Sequence, residues 1–145
     1  MYSNILLPLD LNEESSWKTA LPVAVDLARY YKAQLHVVTV LPDFGKSIVG
    51  SFFAKEFETE ALERTREALE QFLDTQLPDD ELDVKGHIAH GTIYEEITGA
   101  ANKLGTDLIV LSSHRPELKD FLLGPNAARV VRHANQSVLV VRDKA

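Results

Sequence analysis

Two hydrophobic periods alternate along this 145-residue chain. Ile5-Leu6-Leu7-Pro8-Leu9 is an almost unbroken apolar run of strand length, the pattern of a strand buried on both faces. Asp10 closes it, and Asn12 offers an N-cap for a helix. Trp17, Ala20, Leu21, Ala24, Val25, Leu27, Ala28 and Tyr31 then recur at helical spacing and predict that helix over 13–32. Pro22 lies inside that pattern and predicts a kink or a late helix start. Gln34 to Val40 is a second strand, and the stretch 43–52, with Gly45 and Gly50, reads as a loop. Residues 54–76 form a long helix with Phe57, Ala61, Leu62, Ala68, Leu69, Phe72 and Leu73 inward. Its charged side, with Glu63, Arg64, Arg66 and Glu70, reads as a solvated face.

The alternation continues. Pro78-Asp79-Asp80 is a turn, and Leu82 to Ala89 is a third strand whose more alternating pattern suits a sheet edge. Gly91-Thr92 leads into a helix at 93–103, which Gly105 ends. Leu108-Ile109-Val110-Leu111 is the core of a fourth strand. A helix from Pro125 to about Ala134 and a last strand, Ser137 to Val141, complete the chain. Strand and helix thus alternate four times before a terminal strand. That order predicts one α/β domain over residues 1–145, with a doubly wound five-stranded parallel sheet and helices on both faces. In such sheets ligands bind beyond the carboxyl ends of the strands, where strand order reverses. Asp10 and Ser112, at the ends of the first and fourth strands, are therefore the expected lips of a crevice.

Composition narrows the function. The chain has no cysteine, which excludes disulfides, thiolate metal sites and thiol nucleophiles. A net charge of −7 argues against general nucleic-acid binding. It leaves room for a small anion, because backbone N–H groups at a helix start hold phosphates whatever the total charge. The N-terminus has no signal-peptide pattern, and no apolar stretch is long enough to span a bilayer, so a cytoplasmic location with no membrane association is expected.

The candidate chemistry lies between Ser112 and Asn126. Ser112-Ser113-His114-Arg115 follows a buried strand, and Gly124-Pro125-Asn126 opens a helix. Gly124 permits close backbone approach to a phosphate, and Pro125 suits the first helical position. The N–H of Asn126 and those after it point toward an anion, and Arg115 and the two serines add donors. The same residues also fit a plain loop and helix cap.

With these motifs the chain resembles the universal stress protein family over its whole length. The matching pieces are Ile5 to Asp10, the strand to Val40, Gly91-Thr92, Asp107-Leu108-Ile109-Val110 with Ser113-His114, Leu122-Leu123-Gly124, and Ser137 to Arg142. Ser-His-Arg-Pro and Gly-Pro-Asn-Ala are similar to the bacterial branch typified by universal stress protein F. The resemblance implies the strand order 3-2-1-4-5 of an adenine nucleotide alpha hydrolase-like fold, with a crevice for ATP, ADP or AMP. It implies adenosine contacts from Pro8, Leu9 and Asp10, with Asp10 on the ribose, and packing of Val40 on adenine. In nucleotide-binding members the phosphate motif is Gly, two residues, Gly, nine residues, Gly, then Ser or Thr. Here Ser112 and Arg115 stand in the first two glycine places, only eight residues separate Arg115 from Gly124, and Pro125 replaces the Ser or Thr. Arg115 can grip phosphate oxygens directly, but Pro125 removes a hydroxyl and an N–H donor.

The expected function is therefore an adenine-nucleotide-binding stress-response sensor or regulator with a degenerate phosphate motif. The alternatives are a dimeric adaptor of the same fold that binds no nucleotide, and a slow ATPase. No catalytic residue is expected, because the P-loop, the dinucleotide fingerprint and the nucleophile elbow are all missing. Asp10 can assist a Mg2+ ion, although a lone carboxylate makes a weak metal site. His87 and His90 lie three apart with no third ligand near in sequence, which suits surface histidines better than a metal. The last strand is strongly β-forming and, in the implied order, lies at a sheet edge. It is the expected homodimer contact, over 137–142.

Overall fold

Ile5, Leu6 and Leu7 are wholly shielded from solvent at the centre of a five-stranded sheet. The structure is a computed structural model and describes residues 1–41, 52–78, 81–113 and 125–142, with side chains in the second stretch from Thr59 onward. The strands are β1 (Asn4–Leu9), β2 (Gln34–Leu41), β3 (Val84–His90), β4 (Leu108–Ser113) and β5 (Ser137–Arg142). Their order is β3-β2-β1-β4-β5, and every pair is parallel. The doubly wound sheet implied by the sequence is thus the observed one.

The unbroken apolar run of β1 serves two cores. Ile5, Leu7 and Leu9 face one, shared with Leu35 and Val37 of β2 and with α1 (Ala20–Tyr31) and α2 (Phe52–Gln76). Leu6 faces the other, with Val38, Ile109, α3 (Ile93–Lys103) and Val130 of α4 (Pro125–His133). A strand covered on both faces has no polar side, which is why its sequence does not alternate. β3 and β5 lie at the edges, and their partial burial accounts for their mixed patterns.

The helix expected over 13–32 begins later. Residues 14–16 form a single 3-10 turn, and α1 starts at Ala20. Pro22 sits in the first turn of α1, where a missing N–H costs little because first-turn donors have no partner within the helix. Asn12 is not an N-cap; its N–H donates to Asp10 Oδ1 instead (2.9 Å). α2 also departs from expectation. Leu69 is buried, and Phe72 and Leu73 pack on the first core, but Leu62 is 40% exposed. The inward stripe therefore covers only the second half of the helix among the described side chains. Phe57, residues 43–51 of the loop expected at 43–52, and residues 79–80 of the turn expected at Pro78-Asp79-Asp80 lie outside the described side chains or residues, and Phe52 already begins α2. Gly105 follows α3 with φ +65°, as a left-handed C-terminal residue should.

Candidate functional site

The β1–β4 ladder stops at Leu6↔Ile109, whereas the β1–β2 ladder runs on to Leu9↔Thr39. Pro8 lies just beyond the last β1–β4 pair and has no N–H with which to extend it. The sheet thus parts at the point where crossovers from β1 lead one way and those from β4 the other. A crevice of about 970 Å³ occupies this end of the molecule. That volume suits a nucleotide-sized ligand. Pro8, Leu9, Asp10, Val40, Ser112, Ser113, Pro125 and Asn126 all line it. The sequence chose these eight from four separated segments, and the fold brings them to one cavity. His114, Arg115 and Gly124 lie outside the described residues.

The β1 lip is built by hydrogen bonds that leave part of Asp10 open. Its N–H donates to Ser16 Oγ (2.8 Å), and the Ser16 hydroxyl has the Glu13 carbonyl (2.7 Å) and the Asp10 carbonyl (3.0 Å) as acceptors. Glu13 N–H closes a turn onto the same Asp10 carbonyl (3.1 Å). Asp10 Oδ1 accepts the Asn12 N–H, and the residue is exposed. The backbone of Asp10 is thereby fixed, and the exposed residue lines the crevice. The β4 lip differs from the simple sequence picture. Ser112, expected to offer its hydroxyl to a ligand, donates it to the Ser15 carbonyl (2.9 Å). That bond ties the 3-10 turn to β4 and shapes the floor. Pro125 is the first residue of α4, so the first-turn N–H groups available at this wall begin at Asn126.

Several lining residues escaped the sequence reading. Ile93 and Ile97 reach the crevice from α3, and Ala61, Arg64, Thr65 and Ala68 reach it from α2. Arg64, read as part of a solvated face, is a wall residue. Their spacing of 61, 64, 65 and 68 was visible as one helical stripe, but nothing local says what that stripe faces. The described lining residues carry three charged side chains: Asp10, Glu13 and Arg64. Among the described residues no group of three or more His, Asp or Glu stands close enough to hold a metal ion.

The His87 reading is resolved differently from either sequence alternative. His36, 4% exposed, sets its Nδ1 2.9 Å from Nε2 of His87, and the rings stack with centroids 5.1 Å apart. His36 Nε2 lies 3.4 Å from Asn4 Oδ1. Burial holds the pKa of His36 below its usual value, helped by His87 and Lys85 and opposed by Asp83. Burial and Lys85 lower that of His87. The pair joins β2 to β3 and is absent from the crevice lining.

Known proteins are similar to this chain in sequence and in fold. The family model described as the universal stress protein family matches residues 1–142. Universal stress protein G of Escherichia coli O157:H7 is 34% identical over 144 residues, covering 98% of this chain and 100% of that protein. That relative bears the name G, so the family the motifs resembled is shown, while the F branch within it is not. Universal stress protein MJ0577 of Methanocaldococcus jannaschii is 30% identical over 163 residues, covering 99% of this chain and 97% of its own. Its solved structure superposes with a TM-score of 0.73 over 100% of this chain and 99% of that one, at 27% identity. A universal stress protein solved in complex with cAMP shares the fold, with a TM-score of 0.61, 19% identity and coverage of 99% and 98%. Strand order, crevice and whole-length similarity converge, and the chain belongs to the universal stress protein family.

Proposed function

We propose that the crevice binds an adenine nucleotide and that the protein acts as a nucleotide-dependent sensor or regulator in a stress response, without efficient turnover. The observation that carries this reading is the convergence of Pro8, Leu9, Asp10, Val40, Ser112, Ser113, Pro125 and Asn126 on one cavity of about 970 Å³. The apolar lining of Leu9, Val40 and Ile97 suits a purine, and the exposed Asp10 carboxylate suits ribose hydroxyls. The start of α4 supplies backbone N–H groups and a favourable dipole for phosphate. Gly124, Arg115 and His114 join this end on the strength of the motif. The neighbour of the same fold that holds cAMP holds an adenine nucleotide. In this reading ATP, ADP or AMP is the ligand, and Mg2+ accompanies the phosphates rather than occupying a protein site.

Titration calorimetry of nucleotide-stripped protein with ATP, ADP and AMP tests the proposal. Saturable binding of at least one, with one site per chain, is expected. Absence of heat with all three, together with no nucleotide released on denaturing freshly purified protein, overturns it. Ser112 tied to Ser15 and Pro125 in the motif's hydroxyl place favour the second reading, a non-binding adaptor, and the same titration separates the two. Self-association through the edge strand β5 is part of the proposal. The cytoplasm is its proposed location; among the described residues no helix is long and apolar enough to cross a membrane.

A further inference from the structure

Two arginines two residues apart on α2 meet different fates. Arg66 is held between Glu63 (3.0 Å) and Glu70 (3.4 Å) on the outer face. Among the described residues these are the ion pairs of α2, and Arg64 enters none of them, although Glu60 and Glu67 stand at i−4 and i+3. About 200° of helical rotation separates the two positions. Arg64 lies instead on the stripe with Ala61, Thr65 and Ala68 that lines the crevice. The two alanines leave room around it. Thr65 turns its hydroxyl back onto the Ala61 carbonyl (2.7 Å), so among the described α2 residues that line the cavity Arg64 carries the remaining side-chain donor.

Among the described lining residues Arg64 is the one basic side chain. Asp10 and Glu13 bring negative charge to the cavity, Ser112 spends its hydroxyl on Ser15, and Pro125 has no N–H. α2 contributes to the core on one face of the sheet through Leu69, and α4 to the other through Val130. Arg64 and the N-terminus of α4 therefore reach the crevice from opposite faces of the sheet. We infer that Arg64 is a ligand-binding residue of this crevice, gripping the phosphate groups of the bound nucleotide from the α2 side. It offsets the carboxylates and makes up for the donors lost at Ser112 and Pro125. A guanidinium presents five N–H donors in a planar fork that matches phosphate oxygens, which a lysine does not reproduce.

This inference rests on the nucleotide reading above, and its test separates the two. Calorimetry compares the full chain with Arg64→Ala and Arg64→Lys, using ATP, AMP, adenosine and inorganic tripolyphosphate. Arg64 is exposed, so both variants should keep the wild-type melting temperature. The expected result is that Arg64→Ala weakens ATP binding about tenfold or more, as loss of a charge-assisted contact does, that Arg64→Lys recovers part of it, and that adenosine is unaffected. Unchanged ATP affinity in Arg64→Ala overturns the role of Arg64 while leaving nucleotide binding intact. An equal loss for adenosine also overturns it, by placing Arg64 on the nucleoside. If the wild type binds tripolyphosphate through Arg64 but no nucleotide, the phosphate grip stands and the adenine reading fails. If it binds neither, both fall.

Discussion

Lys32 shows how a single residue can carry strain that the sequence hides. It ends α1 in the left-handed region, with φ 55° and ψ 42°, while Ala33 N–H closes the helix onto the Ala28 carbonyl (2.9 Å). A side chain there costs about 1 kcal/mol relative to glycine. Lys32→Gly should therefore raise stability by about 0.5–1 kcal/mol in urea denaturation, with the nucleotide affinity unchanged. Pro125 is the matching residue at the site. Pro125→Ser restores a hydroxyl and an N–H to the first turn of α4, and calorimetry should show ATP binding tightened several-fold relative to AMP. The histidines give a pH dependence. Both His36 and His87 have pKa values lowered in the folded protein, so the folded state favours their neutral forms. Their stabilisation is fully present above the unfolded value of about 6.5 and is lost as pH falls below it. Denaturation at pH 7.5 and 5.5 should show a stability loss on acidification that the double variant His36→Gln, His87→Gln reduces. An undiminished loss in that variant would assign the effect to other groups.

At the scale of elements, the amphipathic pattern told which residues form a helix and only partly what the helix faces. In α2, Leu69, Phe72 and Leu73 lie inward as their spacing requires. Leu62 obeys the same spacing and is nevertheless 40% exposed, while Ala61, Arg64 and Thr65 beside it line the crevice. Strand ends have their own determinants. Asp107 accepts the N–H groups of Ser3 (2.9 Å) and Asn4 (3.2 Å) and so ties the start of β1 to β4. Gly91 leaves β3 with φ +147°, and its N–H donates to the Leu41 carbonyl (2.9 Å). An added Cβ would stand 3.0 Å from Glu96 Oε2 in a backbone conformation that side chains rarely adopt. Gly91→Ala should lower stability by about 1–3 kcal/mol, measured by denaturation, through strain at the β3–α3 turn.

At the scale of the molecule, the proposed self-association concerns one of the two sheet edges, β5 rather than β3. β5 is an edge strand with Leu139 38% exposed, and we expect it to pair with the same strand of another chain. Leu139→Lys should shift sedimentation toward the monomer with little change in the far-ultraviolet spectrum; a variant still fully dimeric would place the interface elsewhere. The alternation of strand and helix, the buried runs and the crevice lips at Asp10 and Ser112 were determined by sequence alone, since each follows from local period or from connection rules that admit few topologies. The family motif supplied the strand order. Only the tertiary structure decided that Ser112 gives its hydroxyl to Ser15, that His36 and His87 share a buried contact, and that Arg64 belongs to the cavity. The first two are contacts between residues 97 and 51 positions apart, and the third joins a helix to an opening. The order of residues along a helix fixes its stripes, but what each stripe meets depends on how the sheet parts beyond Leu6.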